Sequence, residues 1–242
     1  IFSKFKLCLS SSKESQTYLK RLGANKTKYI GNLKFSQSEN EINKISAKTK
    51  KYISKRVIWC ASSTHNSEEE FCGHIHKKLR NKYQNLLTII IPRHIDRVEE
   101  IENQLENIGL KTHKEIPEKK IPKNTDIYIV NSYGKTKSFF SICKNVFLGG
   151  SIINHGGQNP LEAARFGCNI LHGKNVRNFK EIYKFLKNQK ITYEINKSNN
   201  MAETLNKLLS SKKNFKKNIK KKINLMGKKI LKDTLKEIDI FL

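Results

Sequence analysis

Between residues 57 and 195 the chain repeats one pattern: a short apolar run, a polar or glycine-bearing turn, then a stretch with helical periodicity. The runs at 57–61, 86–91, 126–131, 146–148, 169–171 and 191–195 are too short for core helices and read as strands. The run at 86–91 is almost wholly apolar, as a central strand buried on both faces must be. Strands that alternate with helices pair in parallel, because each helix carries the chain back to the starting edge. The expected fold is therefore α/β, a Rossmann-like parallel sheet with helices on both faces. Sheets of this kind bind ligands outside the carboxyl ends of their strands. Four polar turns fall there: Ser62-Ser63-Thr64-His65, Pro92-Arg93-His94, Ser132-Tyr133-Gly134-Lys135, and the run from His155 to Glu162.

The last of these turns belongs to the stretch 149–168, GGSIINHGGQNPLEAARFGC. Two glycines end the strand, and Gly156-Gly157 follow in the loop. Asn159 suits a helix cap, Pro160 the first helical position, and Glu162 the place from which a capping-box carboxylate reaches back. Gly167 suits the stop. Such an entrance offers unpaired backbone N–H groups and a positive dipole end to an anion. The same residues also make a sound strand-to-helix turn without any ligand, and the residues alone leave the two readings even. Ser67-Glu68-Glu69-Glu70 reads as another capping box, ahead of a helix with Phe71, Ile75 and Leu79 on one face. Cys72, His74 and His76 lie on that helix, but only Cys72 and His76 share a face and no third ligand is evident, so they read as solvated histidines and not a metal site. Arg93 has the two-pronged guanidinium that grips phosphate, and Asp96 or Glu99 as rival partners. The next helix, 96–108, turns Val98, Ile101, Leu105 and Ile108 inward.

Composition narrows the class of protein. No run of 18 apolar residues occurs, so no membrane-spanning helix is expected, and no signal-peptide pattern opens the sequence. Five cysteines are scattered without a C-x-x-C pair, which fits buried thiols in a reducing compartment. The formal net charge of +27 admits nucleic acid, anionic membrane or an anionic substrate as partners. The lysines are spread along the whole chain without clustered arginines and aromatics, which points to compositional bias more than to a nucleic-acid module.

The stretch GGSIINHGGQNPLEAA at 149–164, the P-R-H turn at 92–94 and the GNLKF segment at 31–35 resemble the bacterial transferases that attach 3-deoxy-D-manno-octulosonic acid (Kdo) to lipid A. The resemblance implies the C-terminal half of a GT-B glycosyltransferase fold and transfer of Kdo from CMP-Kdo to a lipid A precursor, with inversion. It implies donor contacts from Ser63, Thr64, His65, Pro92, Arg93, Tyr133, Gly134 and Lys135, and from Gly156, Gly157, Gln158, Asn159, Pro160, Leu161 and Glu162. Glu162 would accept the ribose hydroxyls. The family's carboxylate base lies on the N-terminal domain, so no catalytic residue is expected in this chain and the piece alone should be inactive. No metal or other cofactor is implied. The chain departs from the family at Ser62, where glycine is usual, and at Lys135, which replaces an acid.

The chain opens on Ile1, as a piece of a longer protein would. Residues 1–35 read as the last strand, helix and strand of the N-terminal acceptor domain, 36–55 as a lysine-rich linker or exposed helix, and 56–200 as the nucleotide-sugar domain. Residues 201–242 read as basic helices with an apolar stripe through Leu205, Leu208, Leu209, Phe215, Ile219, Ile223, Met226, Ile230 and Leu231. The stripe serves packing or an anionic membrane surface. The expected location is peripheral, on the cytoplasmic face of the inner membrane, with no specific nucleic-acid partner. The alternatives are another GT-B transferase with a different nucleotide sugar, or a basic polyanion-binding module.

Overall fold

The computed structural model describes residues 1–37, 45–116, 119–211 and 218–241. The chain forms two compact units: Ile1–Asn40 with Lys217–Leu242, and Glu41–Lys216. The smaller unit begins with β1 (Cys8–Ser10), α1 (Lys13–Arg21) and β2 (Thr27–Tyr29), and β1 and β2 pair in parallel. Ser12 caps α1 by accepting the Ser15 N–H at 2.9 Å.

The larger unit opens on α2 (Ala47–Ile53), a helix within the stretch expected as linker, and it is anchored by the buried Ile53. Then follow β3 (Val57–Thr64), α3 (Glu68–Arg80), β4 (Leu86–Pro92), α4 (Val98–Asn107), β5 (Thr112–Lys114), β6 (Ile127–Ile129), α5 (Thr136–Ile142), β7 (Asn145–Leu148), α6 (Leu161–Arg165), β8 (Asn169–His172), α7 (Lys180–Asn188), β9 (Thr192–Glu194) and α8 (Ser198–Ser210). The seven strands form one wholly parallel sheet in the order β5-β6-β4-β3-β7-β8-β9. This is the expected Rossmann-like class. Every residue of β4 is buried, as its apolar run required. Trp59 and Phe147 from the sheet, Ile75 and Leu79 from α3, and Met201 and Leu205 from α8 share one core cluster.

The C-terminal helices divide between the units. The first, α8, packs on α3 in the larger unit, where the Tyr83 hydroxyl donates to Asn206 Oδ1 at 2.9 Å. The last helix, α9 (Asn218–Ile238), belongs to the smaller unit and buries Ile219, Ile223 and Ile230, packing against the 3₁₀ turn Leu33–Ser36. Lys28 pairs there with Glu237 at 2.5 Å. Leu231, expected in the buried stripe, is 43% exposed and lies on the other face of α9. Phe215 lies outside the described residues.

Candidate functional site

The strand order sets the place of the site. From the central strand β3 the chain moves to β4 on one side and later returns to β7 on the other. The reversal leaves a crevice outside the carboxyl ends of β3 and β7, where this class of sheet binds ligands. Both strand exits are irregular. The pairing of β3 with β4 slips between Ser62 and Thr64, and Ser63 takes a left-handed conformation at φ 54°. Ser62, where the resemblance expected a missing glycine to matter, sits fully buried in the strand; the unusual backbone falls one residue later. On the β7 side, a Cβ added to Gly149 would stand 2.7 Å from both Thr64 Cα and Glu68 Oε2, so only glycine lets the two exits approach this closely.

Glu68 ties the two exits together. Its fully buried carboxylate accepts four backbone N–H groups: His65 at 3.1 Å and Gly150 at 2.7 Å on Oε2, and Ser151 and Ile152 at 3.1 Å each on Oε1. The capping box expected at Ser67 is therefore displaced. Ser67 adopts φ 71° and makes no side-chain cap, while Glu68 reaches back three residues to the His65 N–H. A second consequence is chemical. The N–H groups of Gly150, Ser151 and Ile152, just after β7, are already taken by the protein's own carboxylate. A bound anion must be met by groups further along the loop and on neighbouring strands.

Those groups gather around His65. Its ring lies 4.2 Å from that of His155 and 6.0 Å from that of His94, centroid to centroid, and Gln158 Nε2 is 3.3 Å from His65 Nε2. Burial, helped by the neighbouring His155, His94, Arg93 and Arg97, pushes the His65 pKa down to about 4, so the ring is neutral at pH 7. The loop that brings Gln158 here is held by backbone. The Gly157 N–H donates to Gly150 O at 2.8 Å, and the Asn178 N–H to Gly156 O at 3.2 Å. Gly156 and Gly157 both have positive φ, 99° and 78°. The Tyr183 hydroxyl donates to Gln158 O at 3.3 Å.

The helix entrance beyond differs from expectation. The α6 helix is only five residues long, with Pro160 at its cap position and no side-chain cap there. Asn159 Oδ1 accepts the Leu161 N–H at 3.1 Å, an Asx turn ahead of the helix. Among the described residues Glu162 makes no bond to the Asn159 N–H; the helix starts one residue late, which puts Glu162 at its second position and not its third. Gly167, at φ 73°, ends the helix as expected.

Two other turns complete the strand-end surface. The Arg93 N–H donates to Thr64 O at 3.0 Å, which joins the P-R-H turn to the end of β3. The Arg93 side chain is exposed, and among the described residues it forms no ion pair with Asp96 or Glu99. The acid-paired arginine is Arg97, 3.1 Å from Glu69 and 3.2 Å from Glu100. After β6, Lys135 pairs with Glu115 at 2.8 Å, and the Ser132 hydroxyl donates to the same carboxylate at 2.6 Å. Tyr133 is exposed and Gly134 sits at φ 82°. Lys135 is thus committed to β5's neighbourhood, three strands from β3. His76, expected in solvent, is fully buried and bonds Thr88 Oγ1 at 2.9 Å through Nδ1. Glu68 and His155 were not picked out as site residues. The signal for Glu68 was an acid three residues after a strand-ending histidine, and for His155 its place before the glycine pair.

No family model matches the chain. Among curated proteins it is 32% identical over 190 residues to the 3-deoxy-D-manno-octulosonic acid transferase of Haemophilus influenzae, covering 77% of this chain and 44% of that one. It is 28% identical over 247 residues to the transferase of the same name from Rickettsia prowazekii, covering 98% and 52%. In fold it is similar to the C-terminal CMP-Kdo binding domain of WaaA from Acinetobacter baumannii, with TM-score 0.62, 22% identity and coverage of 76% and 93%. It is also similar to Anabaena HepE in complex with UDP, with TM-score 0.56, 12% identity and coverage of 96% and 63%. The chain is a homologue of the 3-deoxy-D-manno-octulosonic acid transferases and spans about half the length of the curated relatives it matches.

Proposed function

We propose that this chain is the donor-binding part of a Kdo transferase: it holds CMP-Kdo in the β3–β7 crevice and stabilises the departing CMP. The observation that carries the reading is the meeting of the 155–162 loop with His65 at that crevice, with Gln158 3.3 Å from the ring. The likeness to the CMP-Kdo binding domain of WaaA supports the donor. Charge grows on the leaving phosphate as the glycosidic bond breaks, and preorganised donors aimed at it lower the barrier. Arg93, exposed and with no side-chain bond among the described residues, suits that role. Neutral His65 offers a ring N–H or lone pair without adding charge. Ser63, Thr64, Pro92, Gly156 and Gly157 shape the backbone around the phosphate, and Glu162, free of a capping bond, is available to the ribose hydroxyls. Tyr133, Gly134 and Lys135 lie at the margin of the site.

In this reading the acceptor is a lipid A precursor, transfer inverts the anomeric centre on a GT-B frame, and the catalytic base comes from a domain outside this sequence. Residues 1–35 are then the end of the acceptor domain, 36–55 the linker with its α2 docked on the following unit, and 56–200 the body of the nucleotide-sugar domain, to which α8 adds. The protein works peripherally, on the cytoplasmic face of the inner membrane. Among the described residues no helix is long and apolar enough to cross a membrane. Isothermal calorimetry with CMP and UMP tests the assignment. CMP should bind measurably tighter than UMP, and the chain alone should transfer no Kdo. Equal or absent binding of the two nucleotides refutes the cytidine assignment. Transfer by the isolated chain refutes the missing base.

A further inference from the structure

The P-R-H turn that carries Arg93 is pinned from both of its ends. At its start the Arg93 N–H donates to Thr64 O at 3.0 Å, which ties it to β3. At its far end stands Arg97, the last residue of the 3₁₀ turn Ile95–Arg97 that leads into α4. The Arg97 N–H returns to His94 O at 3.4 Å, and its Nη1 crosses to Glu69 Oε1 on α3 at 3.1 Å. The rest of the guanidinium grips Glu100 of α4, Nε to Oε2 at 3.2 Å and Nη2 to Oε1 at 3.3 Å. All three nitrogens of Arg97 thus have an acid partner, so its fork serves as a strut between α3 and the start of α4.

The two acids differ in what they contribute. The Glu100 side chain is 48% exposed, so water screens its pair with Arg97. Glu69 is fully buried in the first turn of α3. Burial raises the pKa of its carboxyl, against the pull of its own backbone bond and of the Arg97 guanidinium. A carboxylate in so dry a place holds its partner firmly, because release would leave a buried charge unpaired. Its neighbour in the chain, Glu68, holds the loop after β7 by three backbone N–H groups. The two acids that open α3 therefore divide the crevice: Glu68 fixes the loop after β7, and Glu69 fixes the turn after β4.

We propose that Glu69 is a positioning residue for donor binding, which through Arg97 sets the P-R-H turn so that the Arg93 guanidinium meets the donor phosphate. This rests on the reading that Arg93 contacts that phosphate. The test is a double-mutant cycle on CMP affinity, followed by amide shifts of the labelled chain, which read weak as well as tight binding. Glu69→Met removes the acceptor. Glu69→Met/Arg97→Met removes both charges and leaves neither unpaired, so it keeps the fold where the single variant does not; its melting transition should lie well above the temperature of the titration. Both should weaken CMP binding tenfold or more, the scale of one lost bond to a charged group. The control Glu100→Gln, which leaves the buried pair in place, should stay within threefold of the parent. Arg93→Ala alone should weaken binding, and adding either Met variant to it should change affinity less than twofold, because a residue that acts through Arg93 has nothing left to position. An Arg93→Ala variant that binds CMP as the parent does refutes the reading of Arg93, and the proposal with it. Three results overturn the proposal while that reading stands: the same tenfold loss in the Arg93→Ala background, which marks Glu69 as merely structural; unchanged or tighter binding in the double Met variant; or an equal loss in Glu100→Gln.

Discussion

Glu68→Gln perturbs the junction on which the crevice depends. The carboxylate offers two acceptor oxygens to four N–H groups, two on each oxygen. An amide has one carbonyl oxygen and one NH₂, so two of the four N–H groups would then face a donor. Each charge-assisted bond lost costs about 1.5–3 kcal/mol, and a buried N–H left unpaired carries a desolvation penalty of similar size already counted in that loss. Two such bonds give about 3–6 kcal/mol. Glu68 is fully buried, so water does not replace them. A domain of 150–250 residues loses roughly 2–4 °C of melting temperature per kcal/mol, so the transition should fall by about 6–24 °C. Differential scanning calorimetry of the chain and the variant reads this directly. CMP binding should weaken too, even well below the transition, because Gly150 to Ile152 lose their anchor. A variant that melts within 2 °C of the parent would show that the four N–H groups find other partners, and the account of the junction would fail.

Further outcomes follow from other residues of the site. Arg93→Lys keeps the charge but loses the fork, so CMP affinity measured by calorimetry should fall; Arg93→Ala should lower it more, with little change in melting temperature. Glu162→Gln should leave stability unchanged, since no capping bond is present, and cost about 1–3 kcal/mol of nucleotide binding; Asn159→Ala should instead cost about 1 kcal/mol of stability, the size of the one Asx-turn bond it makes to the Leu161 N–H. For His65 the folded pKa of about 4 lies below the ordinary 6.5, so the unfolded chain binds more protons between those values. Its contribution to stability is full above pH 6.5 and is lost as pH falls from 6.5 to 4. His65→Gln should flatten the pH dependence of urea midpoints across that window, and an unaltered slope would remove His65 as its source.

How much of this was legible depended on the length and chemistry of each segment. The apolar run of β4 and the glycine-to-glycine stretch 149–168 announced themselves, because burial on both faces and a strand-to-helix turn each demand a restricted set of residues. The edge strand β5, Thr112-His113-Lys114, carries no apolar run, and only its pairing with β6 makes it a strand. The separation of α8 from α9 was hidden as well. Both have an apolar face, and periodicity says that a face is buried without saying against what. At the site, sequence placed the loops at the correct strand ends but misjudged who occupies them. A glutamate at a helix start reads as a cap for its own helix; that Glu68 also gathers three N–H groups from a loop more than 80 residues away depends on the β3–β7 adjacency. The Asn159–Glu162 box failed for a local reason, the single-residue shift of the α6 start. Lys135 was drawn aside by Glu115, a residue that no spacing connected to it.

The central claim is that the crevice at the carboxyl ends of β3 and β7 is the nucleotide site. Amide chemical shifts of the isotopically labelled chain during titration with CMP test it residue by residue. Saturable changes should concentrate at Ser63 to His65, Arg93 to His94 and Gly156 to Glu162, with Lys51 to Arg56 and Lys119 to Lys123 unmoved. Changes confined to those basic segments at the other end of the sheet, or no saturable change at all, would contradict the account.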